Sequence, residues 1–197
     1  FWLLNNGSKK DVKQNVSIFK FSKKEKPDRI LLAQKNVQKM RTIRHPYILT
    51  YVDALEEEES TVLVTEPCTP LEVWVKKIAH DPSIPKQNLF SELTWGFRCI
   101  LKAIDFLHAN CSLIHGNLGM HSIFVTPNGD WKLGSFELAC NVTNNDDITH
   151  FINHHLILDK SYIAPERLTL TSFDSVKIEE VLKAKVPPFY LDMYSFG

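Results

Sequence analysis

Residues 1–197 read as an α+β chain in two parts, a strand-rich first third holding one helix and a mainly helical remainder. Three observations predict this. Apolar and polar residues alternate in VSIFKF (16–21), YILTYVDAL (47–55) and TVLVTE (61–66). From residue 88 onward the longest apolar pattern changes to three- and four-residue steps. Between the two regimes lies EPCTPLE (66–72), whose two prolines suit a connector.

The elements follow in order. VSIFKF comes after the polar turn DVKQN, and YILTYVDAL rises into the acidic turn EEEES before TVLVTE returns, so the last two strands form a hairpin. RILLAQKNVQKMRTIRH (29–45) places Leu32, Val37, Met40 and Ile43 near helical spacing after Pro27, which predicts the single early helix. NLFSELTWGFRCILKAIDFLHAN (88–110) sets Phe90, Leu93, Phe97, Ile100, Leu101, Ile104 and Leu107 on one stripe, expected to face the core. Two short strands, SIFVT (122–126) and DWKLGSF (130–136), are joined by the turn Pro127-Asn128-Gly129. A loop-rich stretch then leads to YIAPERL (162–168), and the last segment is YLDMYSFG (190–197). No internal repeat or low-complexity tract is present.

Lysine plus arginine total 23 and balance 23 acids, so no whole-molecule field draws nucleic acid or an anionic membrane. Cys68, Cys99, Cys111 and Cys140 lie far apart without a C-x-x-C pair, which suits reduced thiols in a cytosolic protein. No apolar run approaches the ~20 residues of a membrane span. No signal peptide is visible, and a chain opening on Phe1 looks like a fragment.

The order of elements resembles that of a protein kinase, and several segments agree with its signatures. Arg44-His45-Pro46 follows the helix as H-P-N-I does, and VLVTE (62–66) resembles the strand that ends at the hinge, with Thr65 in the gatekeeper slot. IHGNLGMHSIFV (114–125) overlays H-R-D-L-K-P-E-N-I-L, and KLGSFE (132–137) overlays K-L-x-D-F-G. Ala164-Pro165-Glu166 and Asp192-Met193-Tyr194-Ser195-Phe196-Gly197 match A-P-E and D-x-x-S-x-G. The resemblance implies a bilobal kinase-like fold: an N-lobe at 1–65 with its start missing, a hinge at 66–72 and an incomplete C-lobe at 73–197. It places Ser17, Thr65, Glu66 and Cys68 in the cleft and hinge, where a nucleotide would lie.

Phosphoryl transfer needs placed charge: a cation on the phosphates, metal ions with anionic ligands, and a base for the incoming hydroxyl. Aligning VSIF to V-A-I-K puts Phe19 in the lysine slot, and alternation turns the neighbouring Lys20 outward. Asn36 falls where the helix would supply glutamate. In the catalytic loop Gly116 removes an arginine, and Asn117 replaces the aspartate base, a loss worth about 10²–10⁴ in rate. Gly119 removes a lysine, Ser122 replaces the metal-binding asparagine, and Ser135 replaces the aspartate of D-F-G. Glu137 follows Phe136 as a carboxylate expected to be solvated or salt-bridged. The glycine-rich loop would end near Trp2, with only Gly7 in the vicinity. These positions predict a degenerate site with no catalytic residue, no metal and no cofactor; the alternative is ATP held without metal, or weak unconventional Ser/Thr kinase activity using Glu137 and a relocated Lys9, Lys10 or Lys20.

WLLNNGSKK with VSIFKF, RTIRHPYILTYVDALE, LVTEPCTPLEV, FLHANCSLIHGNLGMHSIFV and GDWKLGSFEL together resemble the SCYL (SCY-like) family of pseudokinases, and the CSLIH and VSIF wording resembles its N-terminal kinase-like branch. The resemblance covers about residues 1–137. It implies a non-catalytic scaffold in intracellular membrane traffic, cytoplasmic and Golgi-associated, with protein partners among vesicle-coat or trafficking components. His150, His154 and His155 beside Asp146 and Asp147 offer metal-ligand chemistry but read as an exposed polar loop, and the 56–59 glutamates as a solvated turn.

Overall fold

A computed structural model of the chain describes residues 3–9, 14–24, 27–80, 86–154, 162–163 and 189–196. It divides into two compact units, residues 1–103 with 120–137 and residues 104–119 with 138–197.

The first unit holds a four-stranded antiparallel sheet of β1 (Leu3–Lys9), β2 (Gln14–Ser22), β3 (Tyr51–Glu56) and β4 (Ser60–Thr65), in the order β1-β2-β4-β3. Side chains alternate along β2, so Ser17, Phe19 and Phe21 turn inward while Lys20 and Ser22 face solvent. Central β4 is buried along nearly its whole length, as expected of a strand paired on both edges. The hairpin between β3 and β4 is present, but the first strand starts at Tyr51 rather than Tyr47. Its expected first residues are tied elsewhere: Leu49 N–H donates to the Leu133 carbonyl at 2.9 Å, and Leu133 N–H to the Tyr47 carbonyl at 2.9 Å.

Helix α1 (Pro27–Thr42) begins on a proline, where no N–H is needed, and buries Leu32, Ala33, Asn36, Val37 and Met40 on one face. It stops at Thr42, short of the expected His45, because the residue before Pro46 is biased away from helix and Arg44 closes the end. The Arg44 guanidinium donates to the carbonyls of Met40 (2.5 Å) and Ile43 (2.9 Å).

β5 (Thr69–Pro70), β7 (Ile123–Val125) and β8 (Trp131–Leu133) form a second sheet, ordered β5-β7-β8. The turn between β7 and β8 is the expected one, with Gly129 at φ 86°, where a side chain would be strained. A helix that the sequence reading omitted, α2 (Leu71–Ala79), starts directly after Pro70, with a Glu72–Lys76 pair at 2.7 Å on its surface.

Helix α3 (Lys86–Cys111) is the long helix, but its expected core stripe is too wide. Cys99, Ile100, Ala103, Ile104 and Leu107 are buried, whereas Phe90 is 75% exposed, Phe97 46% and Leu101 41%. The buried face is set by small residues that permit close approach: a Cβ on Gly96 would lie 2.1 Å from the Trp131 ring.

The second unit contains β6 (Leu113–Ile114) paired with β9 (Cys140–Asn141), followed by α4 (Asn145–Asn153) and α5 (Tyr190–Phe196). Ile114, Cys140, Ile148, Phe151 and Leu191 make its apolar centre. Helix α4 lies where a loop was expected. Its cap is Asn144, whose side chain accepts the N–H groups of Asp146 and Asp147, with both acids in the first turn. All four cysteines are free thiols. Among the described residues no helix is long and apolar enough to cross a membrane.

Candidate functional site

Four of the degenerate positions meet in one cavity of the first unit. Phe19, Asn36, Ser135 and Glu137 line a space of about 240 Å³, together with Met40, Leu49, Leu63 and Phe124 on the apolar side. Phe19 is brought there by strand alternation. Its ring meets Phe124 edge-on, with centroids 5.4 Å apart and planes at 85°. Lys20 points the other way and pairs with Glu57 at 3.2 Å, both about half exposed. Lys9 and Lys10 contribute no described side chain, Lys10 and Trp2 lying outside the described residues.

Asn36 is buried, and its Oδ1 accepts the N–H of Phe136 at 2.8 Å, joining α1 to the segment after β8. An amide satisfies that backbone donor without a buried charge. Ser135 sits at φ 61°, a left-handed conformation uncommon for serine. Ser122 is fully buried, and its carbonyl accepts Gly134 N–H at 2.8 Å. A Cβ on Gly134 would approach Phe124 to 2.8 Å, so β8 leaves the sheet at a residue without a side chain. Glu137 is partly buried at the cavity wall.

Asn117 and Gly119 belong to the second unit. Asn117 is buried, with its N–H donating to His115 Nδ1 at 3.3 Å. His115 and Gly116 donate their backbone N–H groups to the two carboxylate oxygens of Asp192 at 2.7 and 2.8 Å, and His108 Nε2 lies 2.9 Å from the same carboxylate. Burial opposes the charge on Asp192, yet the bonds from His108 and these N–H groups, with the charge of His115, hold its pKa below the ordinary value. Gly116 has φ 73°, and a Cβ there would meet Phe151 at 2.5 Å. Any side chain at 116 would therefore collide with an aromatic ring from α4.

The hinge candidates are bound to one another. Ser17 Oγ donates to the Cys68 carbonyl at 3.2 Å and accepts the Cys68 N–H at 3.0 Å. Thr65 is fully buried and donates to the Glu66 carbonyl at 3.0 Å. Burial pushes the Cys68 thiol up to about 11, against the hydrogen bonds from Ser17 and Thr65 that favour the thiolate. Glu66 accepts both Lys132 Nζ (2.8 Å) and Thr50 N–H (2.7 Å), so its carboxylate is engaged in the fold. Phe124, the partner of Phe19, was not singled out by the sequence reading; the alternation of SIFVT was the signal available.

His150 and His154 lie on α4 and at its C-cap rather than in an exposed loop. His150 is buried on α4, its ring 4.3 Å from that of His154, and Asp147 accepts Asn141 N–H at 3.1 Å. His155 and Ala164-Pro165-Glu166 lie outside the described residues. Among the described residues no group of three or more histidine, cysteine or acidic side chains is placed to hold a metal ion.

The protein kinase domain family matches residues 5–183. The chain is 33% identical over 166 residues to "Probable inactive serine/threonine-protein kinase scy1" of Dictyostelium discoideum, covering 84% of this chain and 19% of that protein. It is 30% identical over 159 residues to "SCY1-like protein 2" of Homo sapiens, covering 73% of this chain and 17% of the relative. It is 32% identical over 155 residues to "Protein-associating with the carboxyl-terminal domain of ezrin" of Mus musculus, covering 78% and 19%. The chain thus spans about a fifth of the length of these relatives. The crystal structure of Cex1p matches in fold, with a TM-score of 0.58 and 21% identity over 80% of this chain and 28% of that one. With a kinase order of elements and neutral groups at the charged positions, the chain belongs to the protein kinase superfamily, as a member of the SCY-like pseudokinase type.

Proposed function

We propose that the chain is a catalytically inactive kinase-like interaction module. The observation that carries this is the Phe19–Phe124 contact inside a cavity whose other former ionic positions, Asn36 and Ser135, are uncharged. Catalysis of phosphoryl transfer is almost wholly positioning and electrostatic stabilisation, and an aromatic pair supplies neither to a triphosphate. The hinge adds to this reading. A purine edge needs a free backbone donor and acceptor, and at Cys68 both are engaged by Ser17. Asn117, a neutral amide, takes no proton from a hydroxyl.

The finer assignment is a scaffold in intracellular membrane traffic, cytoplasmic and Golgi-associated, of the N-terminal kinase-like branch, with vesicle-coat or trafficking proteins as partners. Its support is the family resemblance, together with one relative named for association with the carboxyl-terminal domain of ezrin. The lobe layout of 1–65, 66–72 and 73–197 and the absence of a bound cofactor belong to the same proposal.

A second reading, residual ATP binding or weak unconventional kinase activity, is favoured by the persistence of the cavity and by Glu137 at its wall. Of its candidate lysines, Lys20 is committed to Glu57 on the surface. Thermal melting of the purified protein separates the two. ATP with or without magnesium is expected to leave the melting temperature unchanged, since a ligand raises it only by binding the folded state. A rise with ATP, together with magnesium-dependent autophosphorylation abolished by Asn117→Ala, would establish the second reading instead.

A further inference from the structure

One surface of the first unit carries positive charge with no acid paired against it among the described residues. At the end of α1, Arg41 Nε donates to the Tyr51 hydroxyl at 3.0 Å, and the guanidinium groups of Arg41 and Arg44 lie 5.8 and 5.6 Å from the centre of the Tyr51 ring. The next residues continue the surface: the rings of His45 and Tyr47 are 5.8 Å apart, and Tyr47 meets Trp95 of α3 at 6.4 Å. Arg98 lies over Trp95 at 6.0 Å. Lys102 stands one turn beyond Arg98 and is close enough for its charge to add to burial in lowering the pKa of His45.

Arg41, Arg44, Arg98 and Lys102 are exposed, and among the described residues none of them makes an ion pair. Asp130 is turned to the Trp95 indole N–H and Asp53 to the Ala54 N–H, while Asp105, three residues beyond Lys102 on α3, makes no ion pair among the described residues. Beside the cations on α3 runs a second row. Phe97 and Leu101 precede Arg98 and Lys102 by one residue each, and both are more than two-fifths exposed.

We propose that this face docks an acidic, amphipathic segment of a protein partner, its carboxylates on the arginines and lysine and its apolar side chains on Phe97 and Leu101. Guanidinium groups already laid on aromatic planes lose little freedom when a carboxylate binds their outer edge, and they match it with two parallel N–H donors. Single-stranded nucleic acid fits less well. Base stacking needs open aromatic faces, and at Tyr51 and Trp95 the protein's own arginines compete for the ring. An anionic membrane would attract the same cations locally, and the vesicle arm of the test separates it from a protein segment. The surface is separate from the cleft, so the proposal stands or falls independently of nucleotide binding.

The test is fluorescence anisotropy of the full chain with a fluorescein-labelled peptide of repeating Glu-Glu-Leu-Leu and its Gln-Gln-Leu-Leu counterpart. The glutamate peptide is expected to bind saturably and to weaken as salt rises; the glutamine peptide is expected not to bind. The double change Arg98→Glu with Lys102→Glu should weaken binding by ~10-fold or more. Lys76→Glu with Lys77→Glu, an equal charge change on α2, should bind as the unaltered protein does. Arg98→Gln with Lys102→Gln serves as the milder variant and should also lose affinity, its melting temperature unchanged. Equal binding by both α3 variants, equal loss in the α2 control, or equal binding of the two peptides overturns the proposal. So does tighter binding to phosphatidylserine vesicles or to polyuridine that the α3 changes abolish.

Discussion

The hydroxyl of Ser17 both donates to and accepts from the backbone of Cys68, closing a two-bond clasp between β2 and the segment after β4. Ser17 and Cys68 are each buried, so neither bond has water as a substitute. Ser17→Ala would leave a buried N–H without its partner, and the expected cost is about 1–3 kcal/mol, read as a lowered urea midpoint with an unchanged slope. An unchanged midpoint would show that the clasp contributes nothing to stability.

Restoring the lysine of an active site should damage the fold before it restores chemistry. Phe19 is 5% exposed and rests against Phe124, so Phe19→Lys removes a buried ring and puts an ammonium in a cavity where Asn36 stands for the helix carboxylate and the acids of the lining are Glu72 and Glu137. A loss of about 3–5 kcal/mol is expected from the ring alone. Phosphate incorporation should stay at background even when Ser135→Asp is added, because base and helix carboxylate are still lacking.

Gly116→Ala tests the contact with α4. At φ 73° a side chain is strained by about 1–2 kcal/mol, and crowding against Phe151 adds about 1–3 kcal/mol. Combining the change with Phe151→Ala should recover the share of the crowding due to that ring, while the backbone strain and the Leu138 carbonyl oxygen at 2.9 Å remain, a non-additivity readable in a double-mutant cycle.

Asp192 predicts the acid behaviour. Its folded pKa lies below the unfolded value, so its charge stabilises the protein above the unfolded pKa of about 3.9, and that contribution is lost as pH falls through the folded pKa. Urea midpoints should be flat in this respect from neutral pH down to about pH 5 and then fall steeply. Asp192→Asn should be less stable at neutral pH and show a shallower acid decline.

Gly96→Ala should disturb the aromatic cluster of Trp74, Phe97 and Trp131, whose rings lie 5.8 Å from one another through Trp131. The new methyl would fall inside the Trp131 ring, so a cost of about 1–3 kcal/mol and an altered near-ultraviolet spectrum are expected.

How much of this was legible depends on the range of the interaction. The hairpin of β3 and β4 was readable because its period is two and its turn is acidic and local. That Phe19 turns inward and Lys20 outward was readable for the same reason, since alternation alone separates them. Helix α2 escaped notice because it is short and abuts two prolines, and α4 because its cap and first turn, Asn-Asn-Asp-Asp, have the composition of a loop. The Ser17–Cys68 clasp joins residues 51 apart, and the Phe19–Phe124 pair joins two separate sheets; neither leaves a periodic trace. The exposed Phe90, Phe97 and Leu101 misled because apolar spacing marks a helix face without saying that anything covers it.

The ring of Phe151 resting on the α-carbon of Gly116 has an evolutionary corollary. A lineage that filled the arginine's space with a neighbour's phenyl group cannot regain the arginine in one substitution, because that step collides with the occupant. Clearing the occupant first opens a void in the second unit's apolar centre. Either route passes through a weakened intermediate, so the bare backbone at 116 and the ring at 151 lock one another in place, as in a ratchet.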